Sequence, residues 1–170
     1  MSLKPQPIDP VPEETARIAR AAYPKCNIYM QLRDEFGTMY EDEPFRNLYP
    51  RRGQPAKAPW RLALVSVMQF REGLSDRQAA DAVGGRLDWK YLQGLDLSDP
   101  GFDPSVLVEF RQRLLANNEE SLLFDLLLTR LREHGYLKMR GQQRTDSTHV
   151  LAKVRSLNRV EGVEKPFEPP

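Results

Sequence analysis

The stretch "PWRLALVSVMQFREGLSDRQAADAVGGRLDWKYLQGL" (59–95) carries the strongest structural signals in the chain. Its first part predicts a helix that begins at Pro59, because proline is favoured in the first turn of a helix. A wide apolar face is predicted for this helix from residues at helical spacing: Trp60, Leu64, Val67, Met68 and Phe70–Arg71. Gly73 follows the apolar pattern and predicts the C-terminal end of the helix.

The second part of the stretch predicts two short helices joined by a tight turn. Ser75 and Gln78 have the spacing of a capping box, which indicates a helix over Asp76–Val83. We expect Gly84-Gly85 to interrupt this helix and a further helix to span Leu87–Leu95. Helix, glycine turn and short helix is the pattern of a helix-turn-helix, but also of a three-helix packing unit with no nucleic-acid role.

A helix-turn-helix would use the polar side chains of its second helix for DNA contact. The residues that would face a groove are Arg86, Lys90 and Gln93. Basic residues before that helix would bind backbone phosphates: Arg51, Arg52, Lys57 and Arg61. Asp88 weakens the basic face of the second helix, and Trp89 and Tyr91 suit a protein core. The pattern therefore leaves both DNA contact and simple packing open.

Helical periodicity continues on both sides of this stretch. Four prolines in residues 1–12 predict an extended, frayed N-terminal arm. Beyond it the sequence predicts helices over Pro12–Ala22 and Asn27–Phe36, a loop over 40–59, and amphipathic helices over Ser105–Asn117 and Glu119–His134. The predicted fold is therefore mainly α, a helical bundle over 13–137 that contains the helix-turn-helix-like unit.

Charge is distributed unevenly, although the net charge is only +1. Residues 51–90 hold eight Lys or Arg against four Asp or Glu, and residues 138–165 hold seven against three. Between them, 91–137 is acidic, with four basic and eight acidic residues. Two basic zones suit a protein that touches phosphate at two places, but plain solvated faces show the same asymmetry.

Cysteine and hydropathy exclude several classes of protein. Cys26 is the single cysteine, so a disulfide framework and a cysteine-based metal site are excluded, and we expect it to be a small apolar packing residue. No apolar run approaches the roughly 18 residues that cross a bilayer, and the N-terminus has no apolar signal core. We expect a soluble cytoplasmic protein without a membrane partner.

Asp146 lies in "GQQRTDSTHV" (141–150), where the period changes and a β-strand is predicted. A carboxylate on a strand can be a ligand of Mg²⁺ or Mn²⁺, but an aspartate that caps a turn is the simpler interpretation. His149 would point to the opposite face of the strand. His134 falls near a helix C-terminus, where an imidazole is favoured for structural reasons. Residues 161–170 are Pro-rich and predict a disordered tail.

Three motifs together resemble the N-terminal part of bacterial insertion-sequence transposases with an aspartate–aspartate–glutamate (DDE) triad. They are "LSDRQ" after an apolar helix, "FDPSVLVEFRQRL" (102–114) and "TDSTHV" (145–150), and the resemblance covers about residues 10–160. It implies a helical, DNA-associated domain over 13–137, followed by the first strand of a ribonuclease-H-like domain in 138–160.

By this resemblance Asp146 matches the first catalytic aspartate, which holds Mg²⁺ or Mn²⁺ with two further acids. The later carboxylates are Glu161, Glu164 and Glu168, which lie too close to serve as those partners. We therefore expect a truncated transposase with an orphan strand, an incomplete metal site that binds no metal, and no strand transfer by this chain alone.

Three hypotheses about function follow. The first is a DNA-binding and assembly half of a transposase that acts on transposon ends. The second is a helical interaction module that forms a homodimer or inhibits full-length transposase. The third is a helical protein with no DNA role.

Overall fold

The computed structural model describes residues 2–5 and 8–137. Within these residues the chain is mainly helical, as predicted, and its one β-pairing is an isolated bridge between Ser2 and Pro55. The helices are α1 (Glu13–Ala22), α2 (Ile28–Phe36), a 3₁₀ helix (Glu43–Leu48), α3 (Pro59–Glu72), α4 (Asp76–Gly85), α5 (Leu87–Gln93), α6 (Ser105–Ala116) and α7 (Leu122–Glu133). The strand predicted around Asp146 and the tail 161–170 lie outside the described residues.

Capping residues that can be identified in the sequence determine where several helices begin and end. The side chain of Asn27 accepts hydrogen bonds from the first turn of α2, and Ser75 forms the expected capping box with Gln78 at the start of α4. Gly73 ends α3 in the left-handed conformation, with φ 66°. These residues confirm the predicted starts of α2 and α4 and the predicted end of α3.

Helix α5 lies at the centre of the packing. It contacts α1, α2 and α4, while α3 packs against α4 and α6. Six of its seven residues are buried, and Tyr91 forms a core cluster with Ala19 of α1 and Met30 of α2. Cys26 packs against the same cluster, as a small apolar residue does. Burial of a large apolar side chain stabilises a fold by about 1.5–3 kcal/mol, so α5 contributes strongly to stability.

Gly84 does not break a helix, although the sequence analysis expected it to. It lies inside α4, which continues to Gly85. A Cβ atom on Gly84 would lie 2.9 Å from the carbonyl oxygen of Pro100. The missing side chain therefore serves close packing of α4 against the 100–101 turn, and the chain turns after Gly85 instead.

Two further expectations differ from the structure. The N-terminal arm is not frayed at Ser2, which is buried and hydrogen-bonded to residues 53–56. Helix α7 begins at Leu122 rather than at Glu119. Its leucines are half-buried and lie on the less exposed side of the helix, as expected, although none of them is fully buried. The periodicity of α7 therefore predicts both its helical state and its less exposed side, but not the residue at which the helix begins.

The chain divides into two compact units, Met1–Arg130 and Leu131–Pro170. The first contains the helices α1 to α6 and all the candidate DNA-contacting residues. In the second, the described residues are 131–137, which hold the end of α7 and a turn at Gly135 with φ 74°. His134 is exposed and lies one residue beyond α7.

Candidate nucleic-acid interface

The second helix of the helix-turn-helix-like unit turns most of its polar side chains inward. Lys90 is 4% exposed, and its Nζ atom donates hydrogen bonds to the carbonyl oxygens of Asp96 and Asp99. Gln93 is 1% exposed and donates from Nε2 to the carbonyl oxygen of Trp89 at 3.3 Å. Neither side chain can reach a DNA groove from this position. The structure therefore favours packing over groove contact for Lys90 and Gln93.

Arg86, at the start of α5, is held by two carboxylates. Its guanidinium lies 2.5 Å from Oε2 of Glu72 and 2.7 Å from Oδ2 of Asp88. It also lies over the ring of Trp89, 5.2 Å from the ring centre. Burial alone would lower the pKa of Arg86, but the hydrogen bonds and charges of Asp88 and Glu72 outweigh it and raise the pKa. A phosphate would have to compete with these two acids.

Glu72 joins α2, α3 and α5 through one carboxylate. Its oxygens accept hydrogen bonds from the Tyr29 hydroxyl, from Arg86 and from the Trp89 indole at 3.4 Å. Burial raises the pKa of Glu72, but these three donors together lower it below its ordinary value of 4.5. The charges around α5 thus bind one another and link these helices.

The residues that precede α5 show the opposite arrangement. Residues 44–71, here called the basic run, contain six Lys or Arg and no Asp or Glu. Arg51, Arg52 and Lys57 are exposed, and among the described residues no ion pair includes them. Lys57 makes one long contact, 3.5 Å from Nζ to the carbonyl oxygen of Gly101. The positive charge of these three side chains is therefore available to a ligand.

Arg61 differs from the other cations predicted to bind phosphate. It is half-buried on α3, its guanidinium lies 5.1 Å from the ring centre of Trp60, and its Nε atom is buried without a hydrogen-bond partner among the described residues. Burial lowers the pKa of Arg61, and the nearby charges of Asp99, Asp42 and Asp9 offset this only in part, so the pKa is below its ordinary value. The structure thus leaves Arg51, Arg52 and Lys57 as exposed cations, whereas Arg61 is half-buried.

A small cavity lies beside Arg61. Its volume is about 30 Å³, and its lining includes Lys57, Gln93 and Asp99. Pockets for small molecules are roughly ten times larger, so this cavity is too small to hold a nucleotide or a metabolite. The described residues contain no group of three or more His, Cys, Asp or Glu that could hold a metal ion. Asp146, the predicted metal ligand, lies outside the described residues.

Two parts of this arrangement were missed by sequence reasoning. The sequence itself shows that residues 44–71 contain no Asp or Glu. This absence identifies the stretch that holds the exposed cations more closely than the charge count over 51–90 does. Asp42 is buried and accepts a hydrogen bond from the backbone N–H of Trp60 at 3.2 Å, which caps α3 from a distant position. No local pattern in the sequence indicates that contact.

A helical unit that carries three exposed cations outside any ion pair of the described residues, Arg51, Arg52 and Lys57, is the kind of surface that binds a polyanion. The comparison with known families agrees with that class. Residues 20–113, more than half of the chain, match the family described as "Transposase domain (DUF772)", and the chain belongs to this family. No curated protein and no solved structure matches the sequence. A transposase-related function follows from this membership.

None of the helices in the described part of the chain is long and apolar enough to cross a membrane.

Proposed function

We propose that this chain is the DNA-binding and assembly half of an insertion-sequence transposase, and that Arg51, Arg52 and Lys57 contact backbone phosphates. One observation carries the proposal: these cations are exposed and unpaired within a stretch that has no acid. Family membership supports DNA as the partner, because transposases act on DNA. The proposal also places the protein in the cytoplasm, where bacterial DNA is found.

Exposed cations suit the phosphate backbone for a physical reason. Each cation that neutralises a phosphate releases condensed counterions, which favours binding and makes it depend on salt. Two adjacent arginines can each present a planar guanidinium to phosphate oxygens, which gives directed hydrogen bonds as well as charge. Such contacts fix the position of the protein on DNA but carry no base sequence, so they account for affinity rather than for recognition of one site.

Salt-dependent binding to a duplex that carries the transposon ends tests this proposal. The triple variant Arg51→Ala/Arg52→Ala/Lys57→Ala should bind at least about tenfold more weakly at low salt, and the slope of log affinity against log salt should fall by about 2.7. Fluorescence anisotropy across a salt series measures both quantities. Circular dichroism should show the same helical content as the wild-type chain.

A second triple variant supplies the control. Arg17→Ala/Lys25→Ala/Arg77→Ala also removes three exposed positive charges, but from outside the basic run. It should keep the wild-type salt slope, since net charge alone is not the cause. If both triple variants weakened DNA binding equally, net charge would explain the effect. The assignment of Arg51, Arg52 and Lys57 to phosphate contact would then be overturned. Absence of any binding by the wild-type chain at low salt would overturn the proposed function.

A second candidate function rests on α7. This helix has six half-buried leucines among its 12 residues, and beside them Phe124 is 54% exposed. An apolar helix face of this kind suits a protein partner, such as a second copy of the chain or full-length transposase. Light scattering with Phe124→Ser should then show a loss of association. A wild-type chain that is monomeric and does not bind full-length transposase would argue against this candidate.

Catalysis by this chain is a separate matter from DNA binding. The resemblance of "TDSTHV" to the family makes Asp146 a proposed ligand of Mg²⁺ or Mn²⁺, which would activate a nucleophile for phosphodiester cleavage when bound. We propose that DNA binding needs no metal and that the chain alone performs no strand transfer. Binding should therefore survive EDTA, whereas Mg²⁺-dependent nicking that Asp146→Ala abolishes would show catalytic competence.

A further inference from the structure

Ser2 is tied to the exposed part of the basic run by three hydrogen bonds. Its backbone N–H donates to the carbonyl oxygen of Gln54 at 2.7 Å, and its carbonyl oxygen accepts from the N–H of Ala56 at 2.9 Å. Its hydroxyl donates to the carbonyl oxygen of Gly53 at 2.9 Å. Ser2 itself is only 2% exposed. Together they form a short parallel bridge opposite Pro55.

Residues 50–57 have little else to hold them. They lie between the 3₁₀ helix and α3, outside any helix. Among the described residues, every hydrogen bond of the backbone of 50–57 has Ser2 as its partner. Gly53 has a φ of 142°, a conformation that residues with a side chain rarely adopt, so the turn after Arg52 depends on this glycine. The hydrogen bonds of the segment therefore depend on Ser2, and its turn depends on Gly53.

A held segment binds more tightly than a free one. Fixing the backbone of one residue costs about 1–2 kcal/mol in conformational entropy, and a free loop loses that entropy when it binds. A segment that is already ordered in the folded protein avoids most of this loss. Because Arg51, Arg52 and Lys57 flank the residues that Ser2 holds, the contact orders the side chains assigned above to phosphate.

We propose that Ser2 is a positioning residue for DNA binding: it clasps residues 53–56 and thereby holds Arg51, Arg52 and Lys57 in place for the phosphate backbone. This inference rests on the proposed function. It assigns the N-terminal arm a role in binding although Ser2 itself touches no DNA.

Deletion of residues 2–5, which joins Met1 to Gln6, tests the clasp in the full chain. Amide hydrogen exchange at Ala56 should become at least about tenfold faster, because its N–H loses its acceptor. Affinity for the transposon-end duplex should fall about threefold to tenfold, while the exchange rates within α5 stay unchanged. Ser2→Thr keeps the hydroxyl and both backbone bonds, so it should behave as the wild-type chain in both measurements.

The outcomes separate the clasp from the proposed function. Unchanged exchange at Ala56 in the deletion variant would overturn the clasp. Faster exchange with unchanged DNA affinity would overturn the positioning role and leave the DNA-binding role of the basic run intact. If the wild-type chain binds no duplex, the proposed function and the positioning role both fail, and the exchange result still decides whether Ser2 holds the segment.

Discussion

Helix α5 and the basic run both carry cations, but the protein uses them in opposite ways. In α5, Lys90 is buried against backbone carbonyls, and Arg86 at its start is bound to two carboxylates. In the basic run, Arg51 and Arg52 are exposed and have no ion-pair partner among the described residues. A cation at the position that a motif assigns to DNA contact is therefore informative only when its burial and its partners are known.

The largest effect is expected where α5 is most buried. Trp89→Ala should lower the free energy of unfolding by about 3–5 kcal/mol, because Trp89 is 0% exposed and its removal leaves a cavity in the core. Phe70→Ala is the matched control, since Phe70 is 88% exposed, and it should change stability by less than about 0.5 kcal/mol. Urea denaturation measures both. If the two variants lost similar free energies of unfolding, Trp89 of α5 would not be a core residue in the sense in which Phe70 of α3 is a surface residue.

Removal of Arg86 should have the next largest effect. Arg86→Ala leaves Asp88, whose side chain is 5% exposed, without its cation, and such a loss costs about 3–5 kcal/mol in a fully buried pair. Since the Arg86 side chain is itself 38% exposed, we expect about 1–3 kcal/mol. DNA affinity of the folded variant should stay within twofold of the wild-type value. A tenfold loss of affinity in a variant that remains folded would instead assign Arg86 to the DNA interface.

Acid should weaken the same region through Glu72. The folded-state pKa of Glu72 is lowered, so its stabilising contribution is complete above pH 4.5 and is lost as pH falls through the lower folded-state value. The wild-type chain should therefore be more stable than Glu72→Gln at pH 7, by about 1 kcal/mol, and the two should converge as the pH falls well below 4.5. Denaturation curves over that pH range measure the difference. Glu109→Gln, a substitution at an exposed position, should change the free energy of unfolding at pH 7 by less than about 0.5 kcal/mol.

The sequence predicts the helices better than it predicts their surroundings. Capping by Ser75 and the stop at Gly73 depend on neighbouring residues, so local patterns suffice to place α3 and α4. The burial of Gln93 and Lys90 depends on contacts with distant parts of the chain, and a helix of seven residues is too short for its pattern to show which face is covered. The clasp by Ser2 spans 51 residues of sequence, which explains why the arm was expected to be frayed.

The smallest effect is expected from a lysine that never reaches DNA. Lys90→Met keeps the length of a buried side chain and removes its charge, so affinity for the transposon-end duplex should change by less than about twofold. Lys57→Met makes the same chemical change at an exposed position and should weaken binding about threefold, with a smaller salt slope. Anisotropy titrations of the two folded variants give the comparison directly. If Lys90→Met lost more affinity for the duplex than Lys57→Met, the DNA interface would have to include α5. Burial would then not explain which lysine binds phosphate.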